Sequence, residues 1–208
     1  GIACNGDMQV GGIKYDEDMQ AHSFTLENQF GEVVSLSDFS GEVVVLSFIY
    51  TSCNDICPLI TSKLLDTFKI LGEANEYVQL LAITLDPERD SIKQAYRYSF
   101  DMDMLDKWFL LVGSREDLEP IWQGYFLEVE PNNKNGAIAA DEDYDVEYTT
   151  IGSSTLASDR ESIIDAYQIG HSSPIFLISK DGVLRRTFSV ASVDAESIAI
   201  SVKELIER

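Results

Sequence analysis

An apolar run, V-V-V-L-S-F-I-Y at 43–50, constrains this chain more than any other segment. A strand with one wet face alternates apolar and polar residues. One that is apolar at nearly every position is buried on both faces, as in parallel sheets. Such a strand needs a covering layer on each side, which demands an α/β architecture. The run leads into T-S-C-N-D-I-C-P, and helical spacing begins directly after it. Pro58 suits the first turn of that helix, where its missing N–H costs nothing. Ile60, Leu64, Leu65, Phe68 and Leu71 then share one face up to Gly72.

The remaining punctuation extends the pattern. Phe24–Leu26 and Val33–Leu36 alternate around a turn containing Gly31, the signature of a hairpin. Tyr77–Leu85 is a second buried strand ended by Asp86-Pro87, and Asp90 or Ser91 caps a helix running to about Phe100. Trp108–Val112 is a strand, and Ser114 with Asp117 resembles a capping box for a helix to Gly124. Pro174–Ser179 and Val183–Ser189 form a hairpin around K-D-G. A last helix over Asp194–Glu207 turns Ile198, Val202, Leu205 and Ile206 inward. The order β-α-β-α…β-β-α is that of a thioredoxin-like α/β fold: a central mixed sheet, helices on both faces, and an added N-terminal hairpin. Residues 1–22 are polar and acidic and read as a flexible tail before one domain at 23–208. Within that domain, N-N-K-N-G and D-E-D-Y-D-V-E mark 131–165 as an acidic insertion, too long for a plain loop.

Composition removes several function classes. The 208 residues carry 36 acidic against 15 basic side chains, a net charge of −21. Nucleic acids and anionic membrane surfaces both require a basic face, so neither is the expected partner. No run approaches the ~18 consecutive apolar residues of a membrane span.

Cys53 and Cys57 lie where the buried strand hands over to the helix. Thiolates there are favoured by the positive end of the helix dipole. Two sulfurs at this spacing either converge on a soft metal or open and close as a disulfide. A metal needs a further donor, and the chain has two histidines. His22, ahead of the first hairpin, reads as incidental. His171, in G-H-S-S-P before a core strand, falls on the loop that faces the thiols in a thioredoxin-like fold. Two thiolates and an imidazole suit copper as Cu(I) or Cu(II), whereas zinc usually takes a fourth ligand. Asp86 and Asp90 read as turn and cap residues, with Asp86 also placed to orient a ligand or partner near the metal. Ser173-Pro174 reads as an ordinary trans bond.

The run F-T-L…F-G-E-V-V-S-L-S-D-F-S-G-E-V-V-V-L-S-F-I-Y-T-S-C-N-D-I-C-P resembles the opening of the Sco/SenC family of copper-binding, thioredoxin-like proteins. L-D-P-E-R-D at 85–90 and G-H-S-S-P-I-F-L-I-S-K-D-G resemble two later blocks of that family. Asn54 stands where the family usually has proline. The resemblance implies Cys53, Cys57 and His171 as copper ligands. It also implies a metallochaperone or assembly role, with the copper-bearing subunit of cytochrome c oxidase or another cuproprotein as partner. The alternative that the family admits is a thiol-disulfide oxidoreductase with Cys53 and Cys57 as its redox pair. Such a protein is expected in the periplasm or on the outer face of the membrane. I-A-C at 2–4 loosely resembles a lipoprotein signal end, making Cys4 a candidate lipid anchor. A peroxiredoxin is not expected, because its threonine and proline arrangement upstream of the cysteine is missing.

Overall fold

The computed structural model describes residues 11–15, 19–129 and 174–208. These belong, apart from Val129, to one of the chain's two units, Gly1–Glu128 with Ser172–Arg208. The insertion expected at 131–165 lies outside the described residues, as do Cys4, His171 and Ser173.

The 43–50 run forms the centre of a six-stranded mixed sheet. Its strand is Val43–Ile49, every residue of which is buried. Val78–Thr84 and Trp108–Leu111 follow in parallel on one side. Pro174–Ile178 and then Leu184–Ser189 lie antiparallel on the other. Ile13–Lys14 adds an outermost antiparallel strand on Leu184–Ser189. Numbered along the chain, Ile13–Lys14 is β1, Thr25–Glu27 β2, Val33–Ser35 β3, Val43–Ile49 β4, Val78–Thr84 β5, Trp108–Leu111 β6, Pro174–Ile178 β7 and Leu184–Ser189 β8. The sheet order is β1-β8-β7-β4-β5-β6. Ile13–Lys14 corrects the reading of 1–22 as a tail throughout: the backbone there completes a sheet edge although both side chains are exposed.

Among the described residues, four α-helices cover the sheet: α1 Ile56–Leu71, α2 Ile92–Asp101, α3 Arg115–Gly124 and α4 Ala195–Ile206. Cross-strand partners share a face, which fixes the layers. Val45, Leu177 and Arg186 form one row, and Arg186 Nη1 donates to Ser201 Oγ of α4 at 2.8 Å. Helix α1 packs beside α4, where Thr67 Oγ1 donates to Ala195 O at 3.4 Å. The opposite face carries Phe48 and Phe176, which pack with Tyr125 just past α3 at ring separations of 5.4 and 5.1 Å. Ser114 and Asp194 cap α3 and α4 by accepting from backbone N–H groups three residues on.

The buried face of α1 differs from the apolar spacing. Thr61 and Thr67 are buried, whereas Leu65 and Phe68 are half-buried. Both threonines donate to the carbonyl four residues back, at 2.9 and 2.8 Å, so burying them leaves no hydroxyl unpaired.

The N-terminal hairpin β2–β3 forms as expected, with Gly31 at φ 77° in its turn. It also covers the free edge of β6. Buried Gln29 receives Leu110 N–H at 2.9 Å and donates to Trp108 O at 2.9 Å, as a neighbouring strand would. His22 packs against α3. Its ring sits where a Cβ on Gly124 would be, 2.3 Å from the ring carbon Cγ, and its carbonyl accepts from Tyr125 Oη at 2.9 Å.

Candidate metal and thiol site

Both cysteines sit at the carboxyl end of β4, where the chain turns into α1. The turn begins with Cys53 N donating to Tyr50 O at 3.2 Å. Asp55 occupies the N-cap position of α1, yet its side chain makes no capping bond. A sulfur does that work instead: Cys57 N–H, one of the orphan donors of the first turn, points at Cys53 Sγ at 3.4 Å. Pro58 stands third in the helix, in the first turn as its missing N–H requires. Cys57 is fully buried, Cys53 is 6 % exposed, and neither is in a disulfide.

This arrangement divides the two thiols electrostatically. Hydrogen bonding from the Cys57 thiol, with the N–H groups of Asp55 and Cys57 and the Tyr50 hydroxyl, lowers Cys53 to about 5. Cys53 is therefore a thiolate at neutral pH. Cys57 is pushed far up, first because its thiol proton is held by Cys53 and then by burial. The pair thus holds one proton between two sulfurs, with the negative charge on the less buried one. Burial raises the Tyr50 and Tyr98 phenols as well, so both are neutral donors beside that charge. Tyr98 Oη lies 2.8 Å from Thr61 Oγ1, which donates to Cys57 O.

A carboxylate network backs the turn. The helix α2 is capped by Ser91, which accepts from Gln94 N. Asp90 is therefore not the cap, and its side chain turns inward. It accepts from Thr51 N at 3.1 and 3.2 Å, from Thr51 Oγ1 at 2.5 Å and from Thr84 Oγ1 at 2.5 Å. Thr51 and Thr84 are not apolar-pattern residues, and the signal that marks them is their position just past β4 and at the end of β5. Asp86 is fully buried, and its Oδ2 accepts from Arg89 Nε. Its Oδ1 has no hydrogen-bond partner among the described residues. Burial raises the Asp86 carboxyl against the opposing pull of Arg89.

The structure brings Cys53 and Cys57 together. Among the described residues, no three His, Cys, Asp or Glu side chains cluster to hold a metal ion. The described site is a two-sulfur site, and His171 lies outside the described residues.

The SCO1/SenC family model matches residues 14–156. The chain belongs to the SCO1/SenC family. The SCO1 protein homolog of Bacillus subtilis is 34% identical over 119 residues, 56% of this chain and 60% of that relative. The chain thus spans less than two thirds of that relative's length. Among solved structures, BsSco, a Sco-family cytochrome c oxidase assembly protein with a disulfide switch, matches with a TM-score of 0.68. The identity is 24%, with 94% of this chain and 98% of that one covered. Bradyrhizobium japonicum ScoI, solved with copper bound, gives 0.67 at 20% identity over 90% of this chain and 99% of that one. At these identities the structural likeness establishes the fold, and the thioredoxin-like expectation is borne out.

Proposed function

We propose that this chain is a copper-binding assembly factor, with Cys53, Cys57 and His171 as ligands, that delivers or prepares copper for a cytochrome c oxidase-type centre. The observation that carries the reading is the pair of free sulfurs at the start of α1, with Cys53 Sγ 3.4 Å from Cys57 N. Thiolate sulfur is a soft donor that selects Cu(I), and imidazole suits Cu(II). The two sulfurs fit copper in donor chemistry and leave room for a third ligand. His171 is assigned that place by the G-H-S-S-P motif. Copper bound to Bradyrhizobium japonicum ScoI, which shares the fold, supports the assignment. A copper-bearing oxidase subunit or another cuproprotein is the proposed partner, and an extracytoplasmic location with a lipid on Cys4 the proposed setting.

The unequal thiols favour a second reading, reduction of a disulfide in a copper-site apoprotein. The Cys53 thiolate would attack one sulfur of the target disulfide and release the other as a thiolate, which takes a proton from water. The Cys57 thiol would then lose its proton and displace the target from Cys53, leaving a Cys53–Cys57 disulfide and two target thiols. The disulfide switch of BsSco, on the same fold, supports a pair that interconverts.

One set of variants separates the two. The copper reading predicts that His171→Ala loses Cu(I) and Cu(II) binding. The reductase reading predicts that His171→Ala keeps disulfide turnover while Cys57→Ser loses it. If His171→Ala and Cys53→Ser both bind copper as the parent does, the ligand assignment is wrong.

A further inference from the structure

Asp90 is 4 % exposed, one of the most deeply placed carboxylates of the described chain, and neither the metal nor the redox reading uses it. The ion pair of neighbouring Arg89 is made to Asp86, and the charge of Arg89 acts on Asp90 less than the threonine hydrogen bonds do. Ser91 supplies the cap of α2, so helix capping does not account for the burial of Asp90. Its acceptor capacity is spent on two residues, Thr51 and Thr84. Thr51 lies two places past the end of β4 and two before Cys53. Thr84 is the last residue of β5, the parallel neighbour of β4. Leu85 N–H donates to Ile49 O at 2.8 Å immediately beside this point. Past that bond the backbone ladder between the two strands stops, and the Asp90 carboxylate continues the join with side-chain and backbone bonds.

We propose that Asp90 is the positioning residue of the thiol turn. Anchored at the head of α2, it fixes the departure of the chain from β4 so that Cys53 Sγ meets the first turn of α1. The proposal rests on the reading of Cys53 and Cys57 as the functional pair.

Charge-assisted bonds to a desolvated carboxylate are about twice as strong as neutral ones. Thr51 is bound through both its N–H and its hydroxyl, which fixes its backbone and its side chain together. The next anchor along the turn is Cys53 N–H on Tyr50 O at 3.2 Å. Without Asp90, Thr51 N–H, its half-buried hydroxyl and the buried Thr84 hydroxyl lose their acceptor, and the chain between β4 and Cys53 keeps the longer neutral bond from Cys53 N–H to Tyr50 O. Cys53 Sγ would then lose its fixed 3.4 Å contact with Cys57 N, and the two sulfurs would sample a wider range of separations. Their effective concentration toward each other would fall.

The test is the equilibrium of the metal-free chain with a glutathione buffer. The reduced pair, a Cys53 thiolate and a Cys57 thiol, becomes one disulfide as one glutathione disulfide takes its two electrons, the Cys57 proton and one proton from the buffer to give two glutathione thiols. The fraction of Cys53–Cys57 disulfide is read by mass mapping, which separates it from Cys4. Asp90→Ala is expected to lower the equilibrium constant at least about tenfold, equal to about 30 mV for a two-electron couple. Asp90→Asn retains an amide oxygen for Thr51 and is expected to recover most of that loss. Circular dichroism reports whether each variant is folded. If Asp90→Ala does not fold, Thr51→Val, which removes one hydroxyl donor, carries the test and is expected to move the equilibrium the same way. A folded Asp90→Ala with the parent's equilibrium overturns the proposal, as does an unmoved Thr51→Val where Asp90→Ala is unfolded. No copper enters the measurement, so failure of the metal assignment and failure of this proposal give different results.

Discussion

Replacing Cys57 by alanine removes the group that most lowers Cys53. Hydrogen bonds to charged groups contribute about 1.5–3 kcal/mol. At about 1.4 kcal/mol per pKa unit, losing the bond from the Cys57 thiol raises Cys53 by about 1–2 units. The backbone N–H groups of Asp55 and Cys57 and the Tyr50 hydroxyl remain, so the value stays below that of an ordinary cysteine. Cys57→Ser keeps an O–H donor at the same place and is expected to stay within about one unit of the parent. The assay is the pH dependence of iodoacetamide alkylation at Cys53 in reduced, metal-free protein, read by mass mapping. The parent should show a midpoint near 5, Cys57→Ala a midpoint near 6 to 7, and Cys57→Ser a midpoint close to the parent's. A parent midpoint near that of a free cysteine, or identical midpoints for Cys57→Ala and the parent, would refute the thiol-to-thiolate bond as the cause.

Gln29→Ala leaves Leu110 N–H and Trp108 C=O on the covered edge of β6 without their partner, at a cost of about 1–3 kcal/mol for each buried group. Urea unfolding should show a loss of about 2–6 kcal/mol, and an unchanged midpoint would mean the edge is not protected by this side chain. Gly124→Ala places a methyl 2.3 Å from the His22 ring carbon, so His22 must move. The expected loss is about 1–3 kcal/mol by the same assay, and a gain in stability would show that the His22 contact is not tight.

The central strands were legible because burial on both faces leaves a continuous apolar run, and β4 and β5 both carry one. The hairpin was legible from Gly31 and the alternation around it. Ile13–Lys14 was not, because a two-residue edge strand with both side chains exposed joins the sheet through its backbone alone. The inward threonines of α1 escaped because periodicity weighs apolarity, whereas Thr61 and Thr67 satisfy their hydroxyls within the helix. Cys53 and Cys57 were readable as a pair from their place between strand and helix. The inequality between them was not, because it depends on which sulfur receives the N–H groups of the first turn. Asp90 was hidden by its neighbour: either Asp90 or Ser91 is chemically able to cap α2, and only the fold shows that Ser91 does so.

The proposed copper ligands are Cys53, Cys57 and His171. The most direct test is a Cu(I) titration of the reduced chain, in competition with a chromophoric chelator, for the parent and for Cys53→Ser, Cys57→Ser and His171→Ala. One bound copper per parent chain is expected, with a weakening of at least about tenfold, or about 1.4 kcal/mol, for each variant. Parent-like affinity in all three variants, or no binding by the parent, would contradict the proposal.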